Sequence, residues 1–149
     1  MKVKVLLISF LFVAAAAASA ADNWLTSYPD ALAQAKSQNK PILMDFTGSD
    51  WCPWCMKLDK EVFATPAFQS FATAHLILLK VDFPRKTALP ANIRQQNDEL
   101  EKKFAVDGFP TLILLNSNGV KIGTGGYQEG GPQPTIAWIR NTMLHPSAQ

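Results

Sequence analysis

The sequence contains very few residues from which a metal centre or a disulfide framework can be built. Its 149 residues include two cysteines and two histidines, His75 and His145. A closed structural zinc site needs about four ligands, and these histidines lack the spacing of a zinc motif. Small disulfide-rich domains carry several cysteine pairs, whereas one pair is present here. We therefore expect no metal in this chain, and only a metal shared between two chains is left open.

The sequence also lacks a large excess of positive or negative charge. The chain has 14 Lys and Arg residues against 12 Asp and Glu residues, a formal net charge of +2. Proteins that bind nucleic acid usually carry a basic patch or stripe, and no such cluster stands out in this sequence. We therefore expect no nucleic-acid partner and no strong attraction to a charged membrane surface.

The sequence has only one long hydrophobic run, VLLISFLFVAAAAA at residues 5–18. Lys2 and Lys4 flank its start, and residues 18–20 have the small-residue A-x-A pattern of a cleavage site. A membrane-spanning helix needs about 20 apolar residues, so this run is too short to form one. The sequence therefore predicts a secretory signal peptide at residues 1–20.

The remaining residues, 21–149, have the length of one ordinary domain and contain no repeat or linker that would divide them. A chain of this length can bury a sizeable core without a disulfide. Without Lys2 and Lys4, the 14 basic residues become twelve, against 12 acidic residues, so the exported chain would be formally neutral. We expect a single domain that is periplasmic or secreted.

Apolar spacing and turn residues predict an α/β domain. Helices are predicted at residues 30–39, 52–63, 98–104 and 134–144, with another beginning at Pro66. Strands are predicted at residues 41–46, 76–82, 111–115 and 120–126. The early strand–helix–strand order favours parallel pairing, and the late hairpin favours antiparallel pairing. We therefore expect a small mixed sheet with helices on both faces.

One segment, FPRKTALPANIRQQN at residues 83–97, is predicted to be an irregular loop. It contains two prolines and three basic residues. A loop of this length in a compact domain is often functional or mobile, and a solvated insertion is an equally good interpretation. Asn97 is predicted to cap the helix over residues 98–104.

Both cysteines fall in the segment DWCPWCMK, residues 50–57. Covalent haem attachment requires a histidine directly after the second cysteine, where this chain has Met56. A static disulfide would add little stability, because the loop that it closes is nearly the shortest available. A reactive dithiol explains the spacing best, because the pair lies where a predicted strand meets a predicted helix.

The same junction suggests a different role for each cysteine. Cys52 falls at or beside the first helical position, where unpaired backbone N–H groups and the helix dipole lower the pKa of a thiol. Cys55 lies one turn later, on the apolar face with Leu58 and Val62, and is expected to be more buried. We therefore predict that Cys52 attacks a substrate disulfide and that Cys55 resolves the mixed disulfide.

The segment DFTGSDWCPWCMKLDKEVF, residues 45–63, resembles the active-site segment of the thioredoxin-like superfamily. It is similar to exported bacterial thioredoxin-family proteins, including the C-terminal thioredoxin-like domain of the Dsb transmembrane reductase. The resemblance implies a thioredoxin-like fold over nearly all of residues 21–149. Trp51 matches the family's tryptophan before the first cysteine, and Asp45 matches its buried acid. Pro110, in VDGFPTLILL, matches its cis-proline opposite the dithiol.

Asp45 also has an expected physical role, because burying a carboxylate is unfavourable unless it is paired or protonated. Lys80 on the neighbouring predicted strand is expected to pair with Asp45, as the resemblance also suggests. An acid with a raised pKa near Cys55 can accept its proton during resolution. The alternative is a charged group at a strand edge with no part in catalysis. Trp51 and Trp54 are expected to form an apolar rim that receives substrate, although core packing is an alternative for Trp51.

Together, the dithiol and the resemblance imply a thiol–disulfide oxidoreductase that acts on protein cysteines. We expect the reducing direction, because the two residues between the cysteines carry no charge. The alternative is a thioredoxin-fold chaperone or assembly factor whose dithiol is not turned over. The backbone of Phe109, before a cis Pro110, is expected to pair with an extended substrate segment. We expect protein thiols and a membrane-bound redox partner, a monomer, and no cofactor beyond the Cys52–Cys55 disulfide.

Overall fold

The computed structural model describes residues 23–146, so the predicted signal peptide lies outside the described residues. The strands of this part of the chain are β1 Trp24–Leu25, β2 Ile42–Thr47, β3 Ile77–Asp82, β4 Thr111–Leu115 and β5 Lys121–Gly125. The α-helices are α1 Tyr28–Gln38, α2 Pro53–Leu58, α3 Pro66–His75, α4 Ala91–Phe104 and α5 Pro132–Leu144. A π-helical turn, Asp59–Phe63, extends α2.

The strands form one mixed sheet in the order β1-β3-β2-β4-β5. β1, β2 and β3 run parallel, whereas β4 is antiparallel to both β2 and β5. This arrangement confirms the predicted mixed sheet with a parallel first half and an antiparallel hairpin. β2 lies at the centre, and its residue Asp45 stands beside Lys80 on β3 and Leu112 on β4.

The core is divided by the sheet into two apolar layers. Because side chains alternate between the faces of a strand, successive residues of β2 contribute to different layers. Leu43 packs with α3 and α5, through residues that include Phe68 and Ile139. Met44 packs in the other layer with α1 and α4, through residues that include Ala35. Helices therefore cover both faces, as the sequence predicts.

Several helices begin where the sequence carries a capping residue. The Ser27 side chain accepts a hydrogen bond from the Asp30 backbone at the start of α1. Thr65 does the same for Phe68 at the start of α3, just before Pro66. A capping oxygen satisfies a backbone N–H that has no partner inside the helix. These caps fix where α1 and α3 begin.

The prediction for residues 83–97 is wrong in its second half. α4 begins at Ala91, directly after Pro90, so the irregular loop is limited to residues 83–90. Asn97 is not a cap: it is buried within α4, and its side chain donates a hydrogen bond to the Asp82 carbonyl, 2.9 Å away. The first turns of α4 are mostly exposed and polar, so they lack the apolar spacing that predicts a helix. β1 was not predicted either, because a strand of two residues is too short to show an alternating hydrophobic pattern.

None of the helices described between residues 23 and 146 combines the length and the apolar character needed to cross a membrane.

Candidate functional site

A tight turn carries the chain from β2 to α2. The backbone N–H groups of Trp51 and Cys52 both donate to the Gly48 carbonyl, at 3.2 and 2.9 Å. A side chain at Gly48 would overlap the Trp51 indole, so this position needs glycine. The Ser49 N–H and hydroxyl both donate to the Asp82 carboxylate at the end of β3. The turn is therefore fixed at both ends, and it places Cys52 at the start of α2.

The two cysteines are joined in a disulfide, with their Cα atoms 5.3 Å apart. Cys52 occupies the N-cap of α2, and the Cys55 N–H donates to its sulfur at 3.2 Å. A backbone N–H and a helix N-terminus both favour negative charge, so the reduced Cys52 sulfur is placed to be a thiolate. Both residues are buried, with 4% of Cys52 and 3% of Cys55 exposed.

Phe109 and Pro110 lie opposite the dithiol. The peptide bond between them is cis, which confirms what the resemblance implies. The Phe109 carbonyl oxygen lies 3.8 Å from the Cys52 sulfur. The backbone just before β4 is therefore next to the sulfur that is predicted to react.

An aromatic cluster forms one wall of the site. The Trp51 indole N–H donates to the Phe83 carbonyl at 2.7 Å. The Phe109 ring packs edge-on to Trp51 at 6.0 Å and stacks on Phe83 at 5.0 Å, between centroids. The Arg85 guanidinium covers the Trp51 ring, 3.7 Å from its centroid. Trp51 is half-buried, so it packs within this cluster and also borders the dithiol.

The loop at 83–90 is held against the active-site turn by Asp50. The Asp50 carboxylate accepts the backbone N–H groups of Arg85 at 2.9 Å and Lys86 at 2.7 Å. The Arg85 hydrogen bond is the main reason that the pKa of Asp50 lies below its usual value. The first half of this loop therefore borders the site, while its residues 85–88 are exposed to solvent.

Trp54 lies on the other side of the dithiol and is 55% exposed. Its ring packs near Tyr127, and the Lys57 ammonium lies 5.2 Å from the centroid of each ring. Lys57 also faces Glu129 at 3.8 Å, and the Tyr127 hydroxyl donates to Glu61. The Lys57 charge is therefore directed towards this cluster.

Asp45 is buried beneath the dithiol, with one carboxylate oxygen that has no hydrogen-bond partner. Burial raises its pKa from 3.8 to about 7, although Lys80 opposes this shift and Asp59 adds to it. A small cavity of about 140 Å³ is lined by Asp45, Cys55, Asp59 and Lys80, among others. Asp45 therefore shares a cavity with Cys55 and has a pKa suited to proton transfer near neutral pH.

Lys80 does not form the expected direct ion pair with Asp45. Among residues 23–146, the one ion pair within 4.0 Å joins Lys57 and Glu129. Lys80 stands beside Asp45 in the sheet, and its ammonium lies 5.8 Å from the centroid of the Trp24 ring. Its effect on Asp45 is thus a longer-range attraction between charges.

Comparison with known proteins agrees with this geometry. The family model for the thioredoxin-like domain matches residues 28–136. The chain belongs to the thioredoxin-like family. Disulfide bond reductase DsbH of Chlamydia pneumoniae is 36% identical over 125 residues, which cover 84% of this chain and 75% of DsbH. A solved structure titled DsbH Oxidoreductase, also 36% identical, has a TM-score of 0.77 and matches 82% of this chain and 84% of that chain.

Other relatives in the thioredoxin-like family are longer. The thiol:disulfide interchange protein DsbD of Actinobacillus pleuropneumoniae is 34% identical over 86 residues, which are 58% of this chain and 13% of DsbD. The names of these relatives and the Cys52–Cys55 pair confirm the predicted enzyme class, thiol–disulfide oxidoreductase.

The structure of this thioredoxin-like domain brings Trp51, Cys52, Phe109 and Pro110 together beyond the end of β2. Asp45 and Lys80 lie within the sheet and line one cavity with Cys55, and Trp54 packs near Tyr127 instead. Sequence reasoning missed Asp50, Arg85, Glu61 and Tyr127, which contact the tryptophans of the rim or fix their neighbours. Asp50 and Arg85 were detectable only as a charged residue beside the motif and a basic residue in a long loop. Tyr127 and Glu61 are 66 positions apart, and no local pattern links them.

Proposed function

We propose that this protein is an exported protein-disulfide reductase, in which Cys52 is the attacking thiol and Cys55 the resolving thiol. The observation that carries the proposal is the position of the Cys52 sulfur. It accepts the Cys55 N–H at the start of α2 and faces the Phe109 carbonyl. The Cys52 sulfur is therefore placed where a thiolate is stabilised and where the backbone of a substrate can approach it.

The reaction proceeds through two exchanges. The Cys52 thiolate attacks one sulfur of a substrate disulfide, a mixed disulfide forms, and the other substrate sulfur leaves as a thiolate. Cys55 then loses its proton and attacks the Cys52 sulfur. The second substrate sulfur leaves as a thiolate, and the Cys52–Cys55 disulfide forms. The substrate gains two electrons, and the protein loses two.

Asp45 is the proposed acceptor of the Cys55 proton. Its pKa of about 7 and the cavity that it shares with Cys55 support this role. Replacing Asp45 with asparagine is expected to slow resolution about 10- to 100-fold while changing mixed-disulfide formation less than threefold, since general-base catalysis typically contributes at least that much. Stopped-flow measurement of both steps at pH 7.5 checks this. An equal effect on both steps would remove the proton-transfer role.

Substrate proteins are proposed to bind as extended segments. The Phe109 backbone offers a strand-like edge beside Cys52, and Trp51 and Trp54 provide apolar surface on either side. Main-chain hydrogen bonds of this kind give affinity with little demand on substrate sequence. Turnover of a general substrate such as insulin, with dithiothreitol as the electron source, tests the function. A protein that only binds its clients would not accelerate insulin reduction.

The reducing direction has three supports. The residues between the cysteines are uncharged, and the Lys57 ammonium is held by Trp54, Tyr127 and Glu129 instead of lying free beside Cys52. Neither the residues between the cysteines nor Lys57 therefore adds strongly to the stabilisation of the Cys52 thiolate by the helix terminus. The relative DsbH is also named a disulfide bond reductase. In an oxidising compartment such as the periplasm, a reductase of this kind needs a membrane-bound partner to return it to the dithiol.

The proposed reducing direction predicts a range for the reduction potential of the Cys52–Cys55 disulfide. We expect a reduction potential nearer the value of about −270 mV for thioredoxin than the value of about −120 mV for the periplasmic oxidant DsbA. Equilibration with glutathione, followed by acid quenching and alkylation, gives this potential. A value more oxidising than about −180 mV, typical of protein disulfide isomerase, would indicate an oxidase or isomerase instead.

A further inference from the structure

Arg85 is placed on the same wall of the site as the backbone edge that faces Cys52. Its guanidinium lies 3.7 Å from the centroid of the Trp51 ring, and Trp51 directly precedes Cys52. The Trp51 ring contacts that of Phe109, whose carbonyl is 3.8 Å from the Cys52 sulfur. Arg85 therefore covers a ring that contacts Phe109, along which a substrate segment bound to Cys52 is proposed to run.

The Arg85 side chain is held in place without being neutralised. Its backbone N–H and that of Lys86 are bound by Asp50, and the stacking on Trp51 orients the guanidinium. Both basic residues are exposed, and within residues 23–146 neither side chain has a carboxylate within 4.0 Å. The Asp50 oxygens accept backbone N–H groups, so they hold the loop backbone and do not form an ion pair with the guanidinium within 4.0 Å.

The basic charge on the opposite side of the dithiol is not available in this way. The Lys57 ammonium lies between Trp54 and Tyr127 and pairs with Glu129. The rim thus presents an unpaired guanidinium on one side only. A planar guanidinium binds a carboxylate through two parallel hydrogen bonds, which a fixed orientation makes more favourable.

We infer that Arg85 recognises an acidic side chain next to the reactive cysteine of a substrate protein. This inference rests on the proposed function, because it concerns which disulfides are attacked. Asp50 carries a negative charge nearby, which offsets the positive charge of Arg85 at long range. The preference for acidic substrates therefore depends on close contact with Arg85 more than on long-range attraction. An exposed contact of this kind corresponds to a modest rate effect of about two- to fivefold.

Two peptides with a single cysteine test the inference. In each, the cysteine is linked as a mixed disulfide to 2-nitro-5-thiobenzoate, and its neighbours are glutamates in one peptide and glutamines in the other. Attack by the reduced protein joins the peptide to Cys52 and releases the coloured thiolate. We expect the glutamate peptide to react about two- to fivefold faster, and Arg85→Gln to abolish that difference.

Lys36→Gln is the matched control, because it also removes one exposed positive charge. Lys36 lies near the end of α1, which leads into the start of β2, whereas the dithiol follows the end of β2. This variant should keep the preference of the natural protein. Equal preferences in the natural protein and in Arg85→Gln, with both peptides reacting, would overturn the inference and leave the proposed function standing. Failure of both peptides to react with the natural protein would contradict the proposed function and the inference together.

Discussion

Replacing Asp45 with asparagine is expected to raise the free energy of unfolding by about 4 kcal/mol above pH 7, because a pKa shift from 3.8 to about 7 corresponds to about 1.36 kcal/mol for each unit. The folded protein holds the Asp45 proton more tightly than the unfolded chain does. The stabilising effect of that proton is complete below pH 3.8 and is lost as the pH rises to about 7. Asparagine stays uncharged and avoids the loss.

Urea unfolding of the oxidised protein at pH 4 and pH 8 measures this effect. The asparagine variant should match the natural protein near pH 4 and exceed it at pH 8. Asp107→Asn, which removes an exposed carboxylate, is the control and should change stability little at either pH. A similar change for Asp45→Asn at both pH values would mean that Asp45 is not buried as a proton-binding group.

Replacing Cys52 with serine is expected to reduce insulin turnover about a thousandfold or more, since this removes the proposed nucleophile. Replacing Cys55 with serine should also slow turnover strongly, but by a different route. Cys52 can then attack once, and the mixed disulfide persists until an external thiol such as dithiothreitol reduces it, because the protein has no second thiol to resolve it. The two variants therefore separate the roles of the cysteines.

Mass spectrometry after incubation with a disulfide-bonded substrate distinguishes them. The Cys55→Ser variant should accumulate a covalent complex with the substrate, and the Cys52→Ser variant should not. The two single variants also form a matched pair, because each has lost the disulfide and retains one thiol. Accumulation of the complex on Cys52→Ser instead would reverse the assigned roles.

The central strands were predictable because each is rich in apolar residues. β2, β3 and β4 are buried over most of their length, and four residues of each are hydrophobic, so the strand stands out. The start of α4 was not predictable, since its first residues face solvent and only Pro90 marks its beginning. Buried elements can therefore be predicted well from the local sequence, whereas the boundaries of exposed helices cannot.

The candidate site was predictable where local geometry determines it. Cys52 and Cys55 fall one helical turn apart, and parallel pairing of β2 with β3 puts Lys80 beside Asp45. Contacts between distant segments were not predictable. The Arg85 stacking and the hold of Asp50 on the loop depend on how residues 83–90 fold back across the turn.

Burial of both sulfurs has a consequence for the choice of reductant. An incoming thiolate must approach a disulfide along the sulfur–sulfur axis, and only 4% of Cys52 and 3% of Cys55 is exposed to solvent. Free glutathione has no contacts with the aromatic wall or the Phe109 edge to guide it. A protein that binds these surfaces aligns its thiolate by docking. We therefore expect small thiols such as glutathione and dithiothreitol to exchange with this disulfide more slowly than a protein that docks on these surfaces.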